Sequence, residues 1–312
     1  NAYAGQTVRI AFVNNSNDMY LLWIDDVSLI VPAANDLVLA ATTPTGLNVF
    51  GAIGDNKTIT ANVKNNGYTN VTSFTAKYND GVNTVSQNVT GLNLSYGQTA
   101  NITFTTPYNI SSANEANLKV WVELPGDALQ TNDTLKTSIK GYSFVPTHKV
   151  VFEEGTGTWC GWCPRGTVYM DSMYKVHPTT TALIAVHNGD PMTNTVYDNG
   201  IGTLISGYPT ALCGRAIEEL DPSDMFTSYA AHLNDFALAN LVVTPNYNTT
   251  TKVADVVVNT NMASGFVNNS ATNDYRLAVV FTEDNVTGTT STYGQTNYYS
   301  SASQNQPLVG AG

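Results

Sequence analysis

The sequence predicts a multidomain, mainly β chain with one α/β domain, and three observations lead there. Short segments that alternate polar and apolar residues recur from Asp36 to about Tyr142, with turn residues between them. A continuously apolar strand, a helical stretch and a second apolar strand then follow one another from Lys149 to Val186, the pattern of a parallel βαβ unit. Finally, 312 residues at 42% hydrophobic content exceed one ordinary domain of roughly 100 to 200 residues. The expected division is 1–32, tail of a jelly roll; 33–144, an immunoglobulin-like sandwich; 145–241, the α/β domain; and 242–312, the start of a β-rich C-terminal segment.

Taken in order, Val8, Ile10 and Phe12, then Tyr20 to Ile24, read as a hairpin around Asn14–Asn17, and Asp25 to Ile30 as a final strand closed by Pro32. These residues resemble the last strands of cleaved-adhesin jelly rolls in secreted bacterial surface proteins. In such modules acids near the last strand can hold a structural Ca²⁺. Asp25 and Asp26 alone are too few ligands, so a solvated strand edge is the simpler reading.

The sandwich is expected from seven strands in about 105 residues: Leu37–Ala40, Lys57–Lys64, Ser73–Tyr78, Thr84–Val89, Gln98–Thr105, Leu118–Glu123 and Thr134–Ile139. Asn65-Asn66-Gly67, Asn79-Asp80-Gly81 and Pro125-Gly126-Asp127 supply turns. Nothing in the segment suggests chemistry, which makes it a spacer or presentation module. In the α/β domain, strands at Lys149–Phe152 and Ala182–Val186 flank a helix over Cys163–Val176. A second helix is expected over Asp221–Leu241, where Asp221-Pro222 offers a cap and Met225, Tyr229, His232, Phe236 and Ala239 recur at helical spacing. After Pro245 the chain returns to strands, Asp255–Asn259 and Leu277–Phe281, and both ends look cut from a longer exported protein.

Charged residues are only 12%, and the net charge is -11 with 13 Lys and Arg. Such a surface offers no counterion-release face for nucleic acid and no polybasic patch for an anionic membrane. No apolar run approaches the roughly 18 residues of a spanning helix. The expected location is exported, extracellular or cell-surface associated, with the periplasm second.

Two of the three cysteines stand in Thr158-Trp159-Cys160-Gly161-Trp162-Cys163-Pro164, directly after the first strand of the βαβ unit. A four-cysteine zinc site needs a second pair that Cys213 cannot supply. Two readings stay open: a redox pair and a stable structural disulfide. At a helix N-terminus, unpaired amides and the helix dipole stabilise a thiolate, so Cys160 would attack and Cys163, one turn on, would resolve. Cys213 reads as a buried inert thiol.

The cysteine motif, with Gly207-Tyr208-Pro209-Thr210 lying 46 residues beyond Cys163, resembles the thioredoxin superfamily. Glu153 to Gly166, His187 to Met192 and Tyr208 to Thr210 together look like its outer-membrane-protein-28-related branch, over residues 145–312. That resemblance implies a cis Pro209 beside the sulfurs that keeps metal away, and a Tyr208 backbone that pairs with extended substrate. Trp162 between the cysteines and Pro164 after them depart from ordinary thioredoxin. Glu154, six residues before Cys160, falls where the superfamily has a buried proton acceptor. Glu153 is its alternative, since strand alternation sends the two opposite ways. Trp159, Trp162 and His187 complete the candidate substrate-binding set. The expected function is thiol-disulfide exchange on protein thiols or disulfides, with no cofactor beyond the cysteine pair. The alternative is a non-catalytic adhesin or assembly module, partnered by other surface proteins, in which Cys160–Cys163 is a staple.

Overall fold

The computed structural model describes residues 31–44, 49–215, 217–264, 276–299 and 307–309, together with Thr7, Arg9, Ala11 and Val13. The hairpin expected within 1–32, with Asp25, Asp26 and the Ca²⁺ reading attached to them, therefore lies outside the described residues.

Alternation in the sequence becomes two faces in space. In β4 (Thr60–Asn65) Ala61 and Val63 are buried; in β5 (Phe74–Asn79) Phe74, Ala76 and Tyr78 are; in β9 (Glu115–Glu123) Leu118, Val120 and Val122 are. Intervening residues such as Lys64, Lys77 and Lys119 point away from that core. These side chains meet between two sheets, antiparallel but for one edge strand. One has the order β1 (Leu37–Thr43), β4, β7 (Thr99–Thr103). The other runs β2 (Phe50–Ala52), β10 (Thr134–Tyr142), β9, β5, β6 (Thr84–Val89), with β2 parallel to β10. The β5–β6 hairpin turns where expected: Gly81 takes φ 94° and its N–H donates to Asn79 Oδ1 at 2.7 Å. The Lys57–Lys64 strand is divided, however. Asn56–Lys57 (β3) pairs with Tyr108–Asn109 (β8), while Thr60 onward joins β1 and β7, because buried Ile59 carries the chain from one ladder to the other.

Beyond Tyr142 the architecture changes to a mixed four-stranded sheet. Its order is β12 (Thr181–His187), β11 (Val150–Thr156), β13 (Thr210–Cys213), β14 (Glu218–Leu220), with β11 and β12 parallel and the rest antiparallel. Helix α1 (Pro164–Val176) links β11 to β12, and Met173 packs with Val150 and Phe152 beneath α3 (Met225–His232). Helix α2 (Thr195–Ile201) covers the opposite face, where Ile201 meets Val186 and Leu212.

The helix expected over Asp221–Leu241 is much shorter. A 3-10 turn at Pro222–Asp224 leads into α3, which ends at His232, whose Nδ1 lies 2.7 Å from Asp235 Oδ2. Phe236 leaves the helical path to stack on Tyr142 at 3.8 Å and to meet Phe50 edge-on at 5.1 Å, so packing against the sandwich overrides helical periodicity. Pro245, taken as the boundary where strands resume, sits instead inside β15 (Ala239–Asn248), opposite Val256 of β16 (Val253–Met262). A two-stranded ribbon has only edges, which is where a strand tolerates proline. Leu277–Phe281, expected as a strand, pairs with no strand among the described residues.

Candidate functional site

Sheet register brings the candidates to one rim. β11 and β12 end there together at Thr156 and His187, and antiparallel β13 begins there, with Thr210 opposite Gly155. The turn from β11 into α1 carries Trp159, Cys160 and Trp162 across that rim, and the Tyr208–Pro209 peptide preceding β13 is cis.

Cys160 and Cys163 are joined in a disulfide. Cys163 occupies the cap position of α1, with Pro164 following as its first residue, where the missing N–H costs nothing. The turn is closed from within: Cys160 N–H donates to Gly157 C=O at 3.0 Å and Cys163 N–H to Cys160 C=O at 3.1 Å. Both cysteines are buried, at 4% and 0% exposure. Much of the cover comes from far along the chain. Thr296 N–H donates to Thr158 C=O at 2.8 Å, Tyr298 N–H to Gly161 C=O at 2.9 Å and Gln295 Nε2 to Cys160 C=O at 2.9 Å. Trp162, half exposed, meets Tyr298 and Tyr299 edge-on at 5.3 and 5.2 Å.

Glu153 and Glu154 do point opposite ways, yet both are buried, because helices cover both faces of the sheet. Glu154 lies on the α1 face. Among the described residues its Oε1 has no hydrogen-bond partner, and burial pushes the carboxyl up to about 8 against the pull of a hydrogen bond from Thr156. A Cβ on Gly166, in the first turns of α1, would stand 1.6 Å from that oxygen, so only glycine fits beside the acid. Glu153, on the α2 face, would also be raised by burial, but it is held below the ordinary carboxylate range by Arg215 and Tyr197. Arg215 grips it with Nε and Nη2, each 2.7 Å from a carboxylate oxygen, and the Tyr197 hydroxyl donates to Oε1.

The other candidates form a framework around the turn. Trp159, 49% exposed, donates from Nε1 to Asn188 C=O at 2.6 Å and meets Tyr208 edge-on at 5.6 Å. His187 Nδ1 lies 2.7 Å from Asp190 Oδ2, and the same oxygen accepts the Thr158 N–H at 2.9 Å. The Tyr208 hydroxyl reaches Asp198 at 3.4 Å. Cys213 is free and buried in β13 beneath α3, and burial pushes its thiol up. Among the described residues no group of three or more His, Cys, Asp or Glu is arranged for a metal, and no helix is long and apolar enough to cross a membrane.

Sequence reasoning missed Arg215, Asp190 and the covering segment. Asp190 stood in the quoted His187-to-Met192 motif. Arg215 is one of only 13 basic residues, which in so neutral a chain was the available signal. The covering segment donates backbone N–H groups and the Gln295 amide to carbonyls of the turn, and leaves no composition signal except the Tyr298-Tyr299 pair.

No family model and no curated protein matches the chain. It is similar to a solved domain, residues 272–376, of a candidate cell surface protein from Methanosarcina acetivorans, at 26% identity over 36% of this chain and 93% of that one, TM-score 0.29. It is also similar to the CARDB domain of a Pyrococcus furiosus protein solved in complex with di-metal ions, at 13% identity over 38% of this chain and 99% of that one, TM-score 0.28. Neither the thioredoxin superfamily, its outer-membrane-protein-28-related branch nor the cleaved-adhesin jelly rolls appear among these likenesses, and those three resemblances are withdrawn. The physical reason is the small size of the motifs. A cysteine pair before a helix and a Tyr-Pro-Thr before a strand describe a local turn geometry that a few residues can specify without common descent.

Proposed function

We propose that this chain is an exported, surface-associated β-rich module, in which the sandwich serves as spacer or presentation scaffold and Cys160–Cys163 is a standing disulfide. The observation that carries this reading is the cover: both cysteines are buried, and the backbone around them is held by Gln295, Thr296 and Tyr298. An exchange site must offer a sulfur to an incoming thiolate. The location is supported by the disulfide, which persists outside reducing compartments, and by a surface built from Asn, Thr and Ser in place of charge. Partners on this reading are other surface proteins.

A redox titration of Cys160–Cys163 in the intact chain tests it. The expected potential lies below about -300 mV, with no turnover in insulin reduction. A potential near about -200 mV with turnover would overturn the staple.

Glu154 favours a second reading, thiol-disulfide exchange, because a staple has no use for a buried protonated acid against the helix that carries Cys163. An incoming thiolate would then attack Cys160 and expel Cys163, and Glu154 would exchange the proton of Cys163. Trp159, Trp162, Tyr208, Pro209 and His187 would form the docking rim for a protein disulfide. The same titration decides between the two.

A further inference from the structure

The geometry points to the turn Thr158–Trp162 as a docking surface for an extended polypeptide bearing adjacent tyrosines, occupied by the chain's own Gln295–Tyr299, whose release opens a path to the disulfide. This inference rests on the reading of Cys160–Cys163 as a shielded disulfide and adds what shields it.

The contacts follow a repeat. Thr296 and Tyr298, two residues apart, direct their N–H groups to Thr158 C=O and Gly161 C=O at 2.8 and 2.9 Å, so alternate N–H groups of the segment face the turn. Between them the Gln295 side chain takes up Cys160 C=O at 2.9 Å and Gly157 C=O at 3.3 Å. The carbonyls of Thr158 and Gly161 accept these N–H groups, while those of Gly157 and Cys160, which already accept from Cys160 N–H and Cys163 N–H within the turn, take the Gln295 amide as a second donor. Specificity comes from the rings. The Tyr298 ring lies flat over Gly161, where a Cβ would stand 2.5 Å from it. Tyr299, 8% exposed, packs on Trp162, and its hydroxyl accepts from Arg165 Nη1 at 2.9 Å.

The hold is local and reversible. Gln295–Tyr299 has no regular structure and follows a single 3-10 turn at Ser291–Tyr293. Tyr298 is 61% exposed, and a cleft of about 450 Å³ separates Thr292 and Thr296 from Trp159 and Asp190. Few buried apolar contacts and exposed backbone hydrogen bonds mark an element that opens without global unfolding.

The test measures the rate at which dithiothreitol reduces Cys160–Cys163 in the folded, full chain, with released thiols trapped by alkylation and counted by mass. One thiolate of the reagent attacks a protein sulfur and expels the other cysteine as thiolate. The second thiol closes the reagent's ring, leaving two protein thiols and oxidised reagent. Loss of the aromatic contacts in Tyr298→Ala/Tyr299→Ala is expected to raise the rate about tenfold. The capped peptide Gly-Gln-Thr-Asn-Tyr-Tyr, added in trans, should restore the slow rate, and a scrambled peptide should not. Gly161→Ala, which blocks the surface from the other side, should be equally fast and should not respond to the peptide. Rates equal to the unmodified chain in both variants, or an acceleration that the peptide does not reverse in the double tyrosine variant, would overturn the proposal. These rates are independent of the reduction potential. A low potential with unaltered rates leaves the staple standing and removes the docking surface, while a high potential with accelerated rates does the reverse.

Discussion

Glu154→Gln is expected to stabilise the chain at pH 8 by a few kcal/mol relative to its stability at pH 4.5, when each is compared with the unmodified protein at the same pH. Glu154 is an acid whose folded-state value is raised from 4.5 to about 8, by burial first. Below 4.5 both folded and unfolded chains hold the proton, and the group has no effect on stability. Between 4.5 and about 8 the unfolded chain releases it while the folded chain keeps it, so stability falls as pH rises and levels off above the folded value. Urea unfolding at several pH values checks this. The readout is the difference between variant and unmodified chain, because Asp133 in the sandwich, raised to about 7 by burial, Asp127 and Asp36, adds its own slope to both. Parallel curves for the two proteins would mean that Glu154 is ionised in the fold. A companion substitution probes the same contact: Gly166→Ala drives a methyl into the carboxyl and should cost about 1 to 3 kcal/mol or more.

Arg215→Ala is expected to cost about 2 to 4 kcal/mol, because it leaves Glu153, 3% exposed, as a buried charge without its bidentate partner. The lower end of the range reflects the 54% exposure of the Arg215 side chain, which lets water take part of its place. Arg215→Lys should recover little, since an ammonium cannot reach both carboxylate oxygens in the same plane. The pH dependence changes sign as well. In the unmodified chain Glu153 lies below its ordinary value, so its contribution is present above about 4.5 and is lost as pH falls through the lowered folded value. In Arg215→Ala, burial without the guanidinium raises the group, and its contribution to stability then declines with rising pH. Adding Glu153→Gln to the variant should recover most of the loss. If it does not, Arg215 acts through packing on Tyr197, whose ring lies 5.3 Å from the guanidinium carbon.

The sandwich was legible because one face of each strand meets a core. Phe74, Ala76 and Tyr78 alternate with Thr75, Lys77 and Asn79, and Asn79-Asp80-Gly81 turns the chain where its side chains can satisfy the turn's own N–H groups. The parallel pair β11 and β12 was legible for the complementary reason, that a strand covered on both faces reads as an unbroken apolar run. The helix over Asp221–Leu241 was misread because Phe236 fits a helical stripe as well as it fits the aromatic cluster with Phe50 and Tyr142, and periodicity cannot tell the two apart. The family inference failed at another level, by letting two short motifs stand for a whole domain.

At the candidate site the division runs between what lies along the chain and what crosses it. From the sequence alone came the Cys160–Cys163 pair as a redox site or a staple, the start of a helix at Cys163, and the opposite directions of Glu153 and Glu154, since each depends on residues within a few positions of one another. Only the tertiary structure decided that both acids are buried, that one is neutralised by Arg215 while the other lies against Gly166, and that Gln295–Tyr299 closes over the disulfide. Burial, and the pKa that follows from it, is a property of what packs on a residue from elsewhere in the chain. Backbone carbonyls, which hold the covering segment, are the same in every sequence.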